Sequence, residues 1–276
     1  MRNGIGTIFR QLSHEAGPAP SLAFAAGSLL LIWEAAGRAF EIHPELLPTP
    51  TRILLEIWEQ GSRLRAHGLI SSWEILAGFL LAALLAPPAA CILELLPVVR
   101  RVTAPVLSML WPAPLLIAAP LVFVWFGYGV LPEIILAFLL CFLTITGGTI
   151  AGLRSLPPET FELLRTMGAT RTQVLLKVRL PASLPSVFSA LKSAVPLAII
   201  GTTAGEFAQA EAGLGYVMLA AAFKMETPLV FAGLTVLGMI GLVLYCGVAL
   251  LENLLTSWHV EMATPREYVA GKPSRS

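Results

Sequence analysis

Apolar residues run through this chain in long unbroken stretches, and polar residues collect in the gaps between them. Crossing the roughly 30 Å of hydrocarbon in a bilayer takes about 20 helical residues. Six stretches meet that length, near 20–38, 74–96, 104–126, 131–152, 184–207 and 228–252. Backbone N–H and C=O groups find no water in lipid, so a spanning segment must be a helix or part of a closed barrel. The period-two alternation of barrel strands is missing. The predicted fold is therefore an all-α integral membrane protein with six transmembrane helices. Pro87 and Pro88 in the second stretch, and Pro112, Pro114 and Pro120 in the third, predict kinks or local unwinding where carbonyls lose their partners.

Two of the gaps have patterns of their own. Segment 47–69 opens on the turn signal Leu47-Pro-Thr-Pro50, after which Ile53, Leu54, Ile57 and Trp58 recur at helical spacing against Arg52, Glu56 and Glu59. It reads as an amphipathic helix lying at the outer interface, with capture of a partner protein as the alternative. Segment 157–181 reads as helix, turn, helix. Pro157 and Pro158 suit a first helical turn, where N–H groups lack partners anyway, and Glu159 and Glu162 suit its positive end. Gly168, following Arg165, Thr166 and Met167, is a stop signal because glycine accepts the left-handed conformation that closes a helix. Thr170 and Gln173 have capping-box spacing for a second helix, which Pro181 is expected to end.

Composition agrees with a membrane setting. The 276 residues are 56% hydrophobic and 13% charged, and a mean hydropathy of +0.79 is more than a soluble domain can hide. A net charge of +1 without a basic run gives no reason to propose nucleic acid as a partner. Cys91, Cys141 and Cys246 fall within apolar stretches and read as packing residues. The first stretch lacks a convincing cleavage site and continues through Trp33, so it reads as a span and not a signal peptide. With the N-terminus inside, the inner segments hold twelve Lys and Arg residues against five in the outer ones. That asymmetry places both termini and segment 157–181 in the cytoplasm. Trp73, Trp125, Tyr128 and Trp258 then sit near membrane interfaces. The expected organisation is a cytoplasmic segment 1–19, a transmembrane domain 20–252 and a cytoplasmic tail 253–276.

Charges inside spans are costly and by default suggest function. Lys192 is close enough to the inner face to snorkel, and Glu94 reads as a solvated end residue. For Glu206 a gate or solute-path role and a structural role both stand. Gly148-Thr-Ile-Ala-Gly152 and Gly201-Thr-Thr-Ala-Gly205 fit close helix packing, without saying against which partner. Enzyme chemistry finds no support: His14, His43, His67 and His259 lie outside the six stretches, and no metal-ligand or nucleophile–base pattern is present. No G-x-x-x-x-G-K-[ST] occurs, the nearest fragment being Gly271-Lys272-Pro273, so this chain is not expected to hold ATP.

From Glu162 the chain reads Glu162-Leu163-Leu164, three residues, Gly168, nine residues, Val178, one residue, Leu180-Pro181. This resembles the "EAA" cytoplasmic loop of ABC importer permeases, with Leu163 and Leu164 replacing its alanine pair and Val178 its isoleucine. Leu47-Pro-Thr-Pro50, Ser72-Trp-Glu-Ile-Leu-Ala-Gly-Phe79, Trp125-Phe-Gly-Tyr-Gly129, Ala204-Gly-Glu206 and Gly213-Leu-Gly215 extend the likeness over most of the chain. Together they are similar to the binding-protein-dependent type I permeases for aliphatic sulfonates, taurine, nitrate and pyrimidine thiamine precursors. The resemblance implies an inner (plasma) membrane permease subunit working as a homodimer. Two cytoplasmic ATPase subunits that use ATP and Mg²⁺ would power it, and an extracytoplasmic solute-binding protein would supply it. It also implies that Glu162 and Arg165 make polar contacts with the ATPase, that Leu163, Leu164 and Met167 fill an apolar groove, and that Gly168 sets the angle between the loop helices. Val178, Leu180 and Pro181 complete the coupling element. Ser108, Trp111, Gly201, Thr202, Thr203, Gly205 and Glu206 are the pathway or gate candidates. The third span offers few polar groups beyond Ser108, which favours a neutral or aromatic organic solute over a sulfonate or nitrate. The alternative function is a secondary transporter without an ATPase, which would leave the two-helix loop unexplained.

Overall fold

A computed structural model describes residues 18–96, 115–156, 164, 166–209 and 211–255. All regular structure among the described residues is helical. In chain order the helices are α1 (Pro18–Ala39), α2 (Pro50–Glu59), α3 (Gly61–Leu95), α4 (Leu115–Phe126), α5 (Val130–Leu153), α6 (Arg171–Val174), α7 (Leu180–Gln209), α8 (Leu214–Phe223) and α9 (Thr227–Leu255). A π-helical turn, Leu175–Arg179, joins α6 to α7. Among the described residues four helices are long and apolar enough to cross a membrane: α3, α5, α9 and the continuous helix Arg171–Ala208. The 22-residue α1 carries Glu34 and Arg38 near its end, and the 12-residue α4 is the described part of the third apolar stretch. Residues 104–114 of that stretch, with Pro112 and Pro114, lie outside the described residues.

The helices differ from the apolar stretches in three places. The helix that carries the second stretch is longer than the stretch itself. Helix α3 begins at Gly61 and takes in the second half of the amphipathic segment, which is interrupted only at Gln60. Of the kink or unwinding expected at Pro87 and Pro88, the unwinding does not occur, for helical geometry continues through both. Finally, 214–223, which lies between the fifth and sixth stretches, forms the helix α8. Its ten residues are too few to cross a bilayer, so no spanning stretch marks them.

The chain divides into two compact units, residues 1–66 with 217–236 and residues 67–216 with 237–276. In the first unit Glu34 organises the start of α2. Its carboxylate accepts from the Thr51 N–H at 3.0 Å and the Thr51 hydroxyl at 2.7 Å, and pairs with Arg38 at 2.6 Å. A carboxylate at the N-terminus of a helix supplies an acceptor where backbone donors have none and opposes the helix dipole favourably. Trp33 packs near Phe231 with ring centroids 6.1 Å apart, and Thr227 donates to the Glu45 carbonyl at 2.5 Å.

The second unit is built on close packing of α5 against α7. A methyl group on Gly201 would come within 2.7 Å of the Ala137 Cα, and one on Gly205 within 2.8 Å of the Glu133 Cγ. On α5, a methyl on Gly152 would come within 2.6 Å of the Ser186 Cβ, and Gly148 faces Ala190. Both small-residue motifs are thus occupied within one subunit, where missing side chains let the backbones approach. Gly78 of α3 makes a third such approach, toward Ala137 and the Ile134 carbonyl. Ala119, Val122 and Phe123 of α4 pack with Leu136 of α5. Cys141, buried, donates to the Ala194 carbonyl at 3.4 Å, and the three cysteines are free thiols.

Candidate functional site

The loop between α5 and α7 has the local structure its sequence dictates. Leu164 and Thr166 are helical, Gly168 is left-handed with φ +79°, and the Ala169 N–H donates to the Leu164 carbonyl at 3.1 Å. This six-residue closure is the usual way a glycine ends a helix and satisfies a leftover carbonyl. Thr170 then caps α6. Its hydroxyl accepts from the Gln173 N–H at 3.3 Å, and the Gln173 side chain accepts from the Thr170 N–H at 2.9 Å. Met167 and Leu176 leave large apolar side chains exposed on this element, and Leu175 is buried. Glu162, Leu163 and Arg165 lie outside the described residues.

Pro181 does not end the second loop helix. The chain stays helical from Arg171 to Ala208, 38 residues in one piece. The reason lies in the π-turn immediately before the proline. There the Leu180 N–H reaches back to the Leu175 carbonyl, five residues away, in place of the usual four. A wider turn absorbs the missing N–H and ring bulk of a proline that would disrupt a regular α-helix. Val178 and Leu180, half-buried, and Pro181, exposed, therefore lie on the rod that leads into the membrane.

At the same end, Glu94 is not a solvated end residue. Its side chain is 4% exposed and pairs with Arg154 at 2.5 Å and with Arg179 at 3.6 Å. Three elements meet there: the end of α3, the residue capping α5 and the π-turn. Sixty residues separate Glu94 from Arg154, and 85 separate it from Arg179, so no local pattern reveals the cluster. Lys192 reaches Glu252 of α9 at 2.7 Å, so its charge is balanced within the subunit.

At the other end of α7, Glu206 is 1% exposed and clasps the turn before α8. One carboxylate oxygen accepts from the Gly215 N–H at 2.6 Å, and the other accepts from the Ser71 hydroxyl of α3. Ser71 Oγ in turn accepts from the Leu214 N–H at 2.8 Å, and His67 Nδ1 accepts from the Gly213 N–H at 3.1 Å. Three successive backbone donors at the start of α8, which an unaided helix leaves without partners, are thereby satisfied. Gly213, with φ +101°, lies so near the Glu206 carboxyl that any side chain there would collide with it. Of the other pathway candidates, Gly201, Thr202 and Gly205 are buried and Thr203 is half-buried. The hydroxyls of Thr202 and Thr203 have no hydrogen-bond partner. Ser108 and Trp111 lie outside the described residues.

Comparison with known proteins gives these elements a common context. Residues 75–257 match the family described as "Binding-protein-dependent transport system inner membrane component". The riboflavin transport system permease of Chloroflexus aurantiacus is 33% identical over 251 residues, covering 90% of this chain and 94% of that protein. The formylaminopyrimidine transport permease of Halalkalibacterium halodurans is 32% identical over 240 residues, covering 87% and 95%. Among solved structures, an inward-facing form of the MetNI methionine ABC transporter superposes with a TM-score of 0.52 at 19% identity, over 69% of this chain and 98% of that chain.

Proposed function

Because the chain belongs to the family of binding-protein-dependent transport system inner membrane components, we propose that its loop 157–181 is the joint through which two cytoplasmic ATPase subunits drive a homodimer of this chain. The protein is a permease subunit of an ABC importer, working with an ATPase and a binding protein. Closure of the ATPase pair upon ATP would push the loop, and the loop would tilt α7, switching access to the path between the two membrane faces. Six spans with both termini cytoplasmic put the loop on the ATPase side, in keeping with the twelve-to-five distribution of basic residues. The solute is a small organic molecule handed over by the binding protein.

One observation carries this reading: after the left-handed turn at Gly168, the capped helix of the loop continues without interruption into a rod long and apolar enough to span a membrane. Such a rod moves as a unit, whereas a flexible connector would dissipate the push. Glu162, Leu163, Leu164, Arg165 and Met167 form the face that docks, with the exposed Met167 supplying apolar contact. Val178, Leu180 and Pro181 carry the motion inward.

The test substitutes Gly168→Pro and Glu162→Lys separately. ATPase association is measured by pull-down and solute uptake in vesicles containing permease, ATPase and binding protein. Membrane insertion is expected to be unchanged, with ATPase binding weakened by Glu162→Lys and ATP hydrolysis uncoupled from uptake by Gly168→Pro. Wild-type binding and uptake in both variants would sink the assignment.

A further inference from the structure

Beside the Glu206 clasp, the second unit has an open cavity of about 410 Å³ whose lining includes Glu74 of α3, Glu133 of α5, Glu211, Tyr128 and Ile70. Glu74 and Glu133 are 1% and 3% exposed. Glu74 is flanked by the carboxyl groups of both Glu133 and Glu206, so three buried acids from three helices converge on one point. None of the ion pairs described above involves Glu74, Glu133 or Glu206. His67 uses Nδ1 as an acceptor for Gly213.

A buried acid cluster is expensive to assemble, and where it serves structure its oxygens are satisfied. Glu206 fits that rule, since both its oxygens accept hydrogen bonds from the turn and from Ser71. Glu74 does not: the only polar groups described beside its carboxyl are the carboxyls of Glu133 and Glu206, and its buried Oε2 accepts from no N–H or hydroxyl donor, on a side chain that lines the cavity. An acceptor that meets no donor, with a second buried acid and the exposed Glu211 around the same space, is complementary to a donor-rich positive group. Tyr128, exposed and stacked on Phe123 with centroids 6.3 Å apart, adds an aromatic face of the sort that attracts cations.

We infer that this cavity is a receiving site for a small organic cation, such as a protonated amine, amidine or basic heterocycle, with Glu74 and Glu133 as its counter-charges. The inference rests on the permease reading and narrows its solute class. It departs from the sequence-based expectation of a neutral or aromatic solute, and it disfavours a sulfonate or nitrate, which the same carboxyls would repel. Glu206 in this scheme is the positioning residue that holds the α8 turn against one wall.

Charge-selective thiol labelling tests the inference whatever the solute turns out to be. Ile70→Cys places a thiol in the cavity wall, and the chain with its natural cysteines alone supplies the background. Membrane vesicles carrying this permease with its ATPase are treated with a trimethylammonium-ethyl thiosulfonate or with its sulfonate-ethyl analogue. Rates are corrected for each reagent's reaction with a free thiol. Focused negative potential is expected to favour the cationic reagent by roughly tenfold or more, and Glu74→Gln combined with Glu133→Gln should bring the ratio close to one. Should that double variant fail to insert, Glu211→Gln alone should lower the ratio part of the way. A ratio of one or below in the parent, or a preference unmoved by these substitutions, overturns the cation site. ATPase pull-down from the same vesicles separates the two levels. Retained pull-down with a ratio of one defeats the cation site alone, and lost pull-down counts against the permease reading whatever the ratio.

Discussion

Two glutamates of one helix receive opposite treatment. Glu94, near one end of α3, is enclosed by Arg154 and Arg179. Glu74, twenty residues earlier and so roughly 30 Å away along the axis, is flanked by two further glutamates, and one of its oxygens accepts from no N–H or hydroxyl donor. The first is a closed ion-pair cluster whose charges cancel inside the subunit. The second is open, and its completion has to come from something that enters. Buried pairs of the first kind are weak evidence for net stability but strong constraints on geometry, and open acids of the second kind are sites for ligands. On the two proposals made above, the difference would separate the part of the subunit that transmits motion from the part that meets the solute.

The most severe way to break this comparison is to give Glu94 the wrong sign. Glu94→Lys would crowd three cations where a nearly buried carboxylate now stands. We expect a loss of about 3 kcal/mol or more, read as a lowered unfolding temperature in detergent with ATP-driven uptake abolished. Arg154 is 45% exposed and water can relieve it, so the milder Glu94→Gln should cost less, about 1–2 kcal/mol. Next comes Glu206→Leu, which strips the acceptor from the buried Gly215 N–H and the Ser71 hydroxyl. It should cost about 2 kcal/mol and speed hydrogen exchange at 213–215, whereas Glu206→Gln, which keeps an acceptor, should exchange nearly as slowly as wild type.

The sharpest contrast is in sign. Glu74→Gln removes an acid from a like-charged cluster and should leave the unfolding temperature unchanged or raise it by the equivalent of about 1 kcal/mol, opposite to Glu94→Gln. Equal losses at both positions would erase the distinction between closed and open clusters. Smallest of all should be Lys192→Met. The Lys192–Glu252 pair is 25% and 21% exposed, and its loss is worth below about 1 kcal/mol in the same melting experiment.

What could be seen in the sequence was local or repetitive. The long apolar stretches marked where helices α5, α7 and α9 run, and Gly168, Thr170 and Gln173 announced the loop's turn and cap because each acts on backbone groups within five residues. Glu94 was misjudged because its partners lie on elements far along the chain and are brought to it only by packing. The acid cluster was equally hidden: Glu74, Glu133 and Glu206 each stand near a span's end, where a single carboxylate is unremarkable. A usable signal was there in three acids near one membrane face with no basic residue nearby in sequence. Pro181 misled for a different reason. Proline stops a regular helix, and nothing in Leu175–Arg179 betrays that the preceding turn is a wide one.

That wide turn has a consequence in angle. A π-turn holds one residue more than the α-turn it replaces, and each residue of an α-helix advances the azimuth by about 100°. Thr172, Gln173 and their neighbours on α6 are therefore rotated about the rod's axis relative to the face they would present if Leu175–Arg179 were regular. Deleting one residue of that turn, with Pro181→Ala so that the regular helix meets no proline, would leave the rod helical and the cap intact, yet aim the whole loop at a different azimuth, so a permease correct in every contact within itself would meet its motor facing the wrong way.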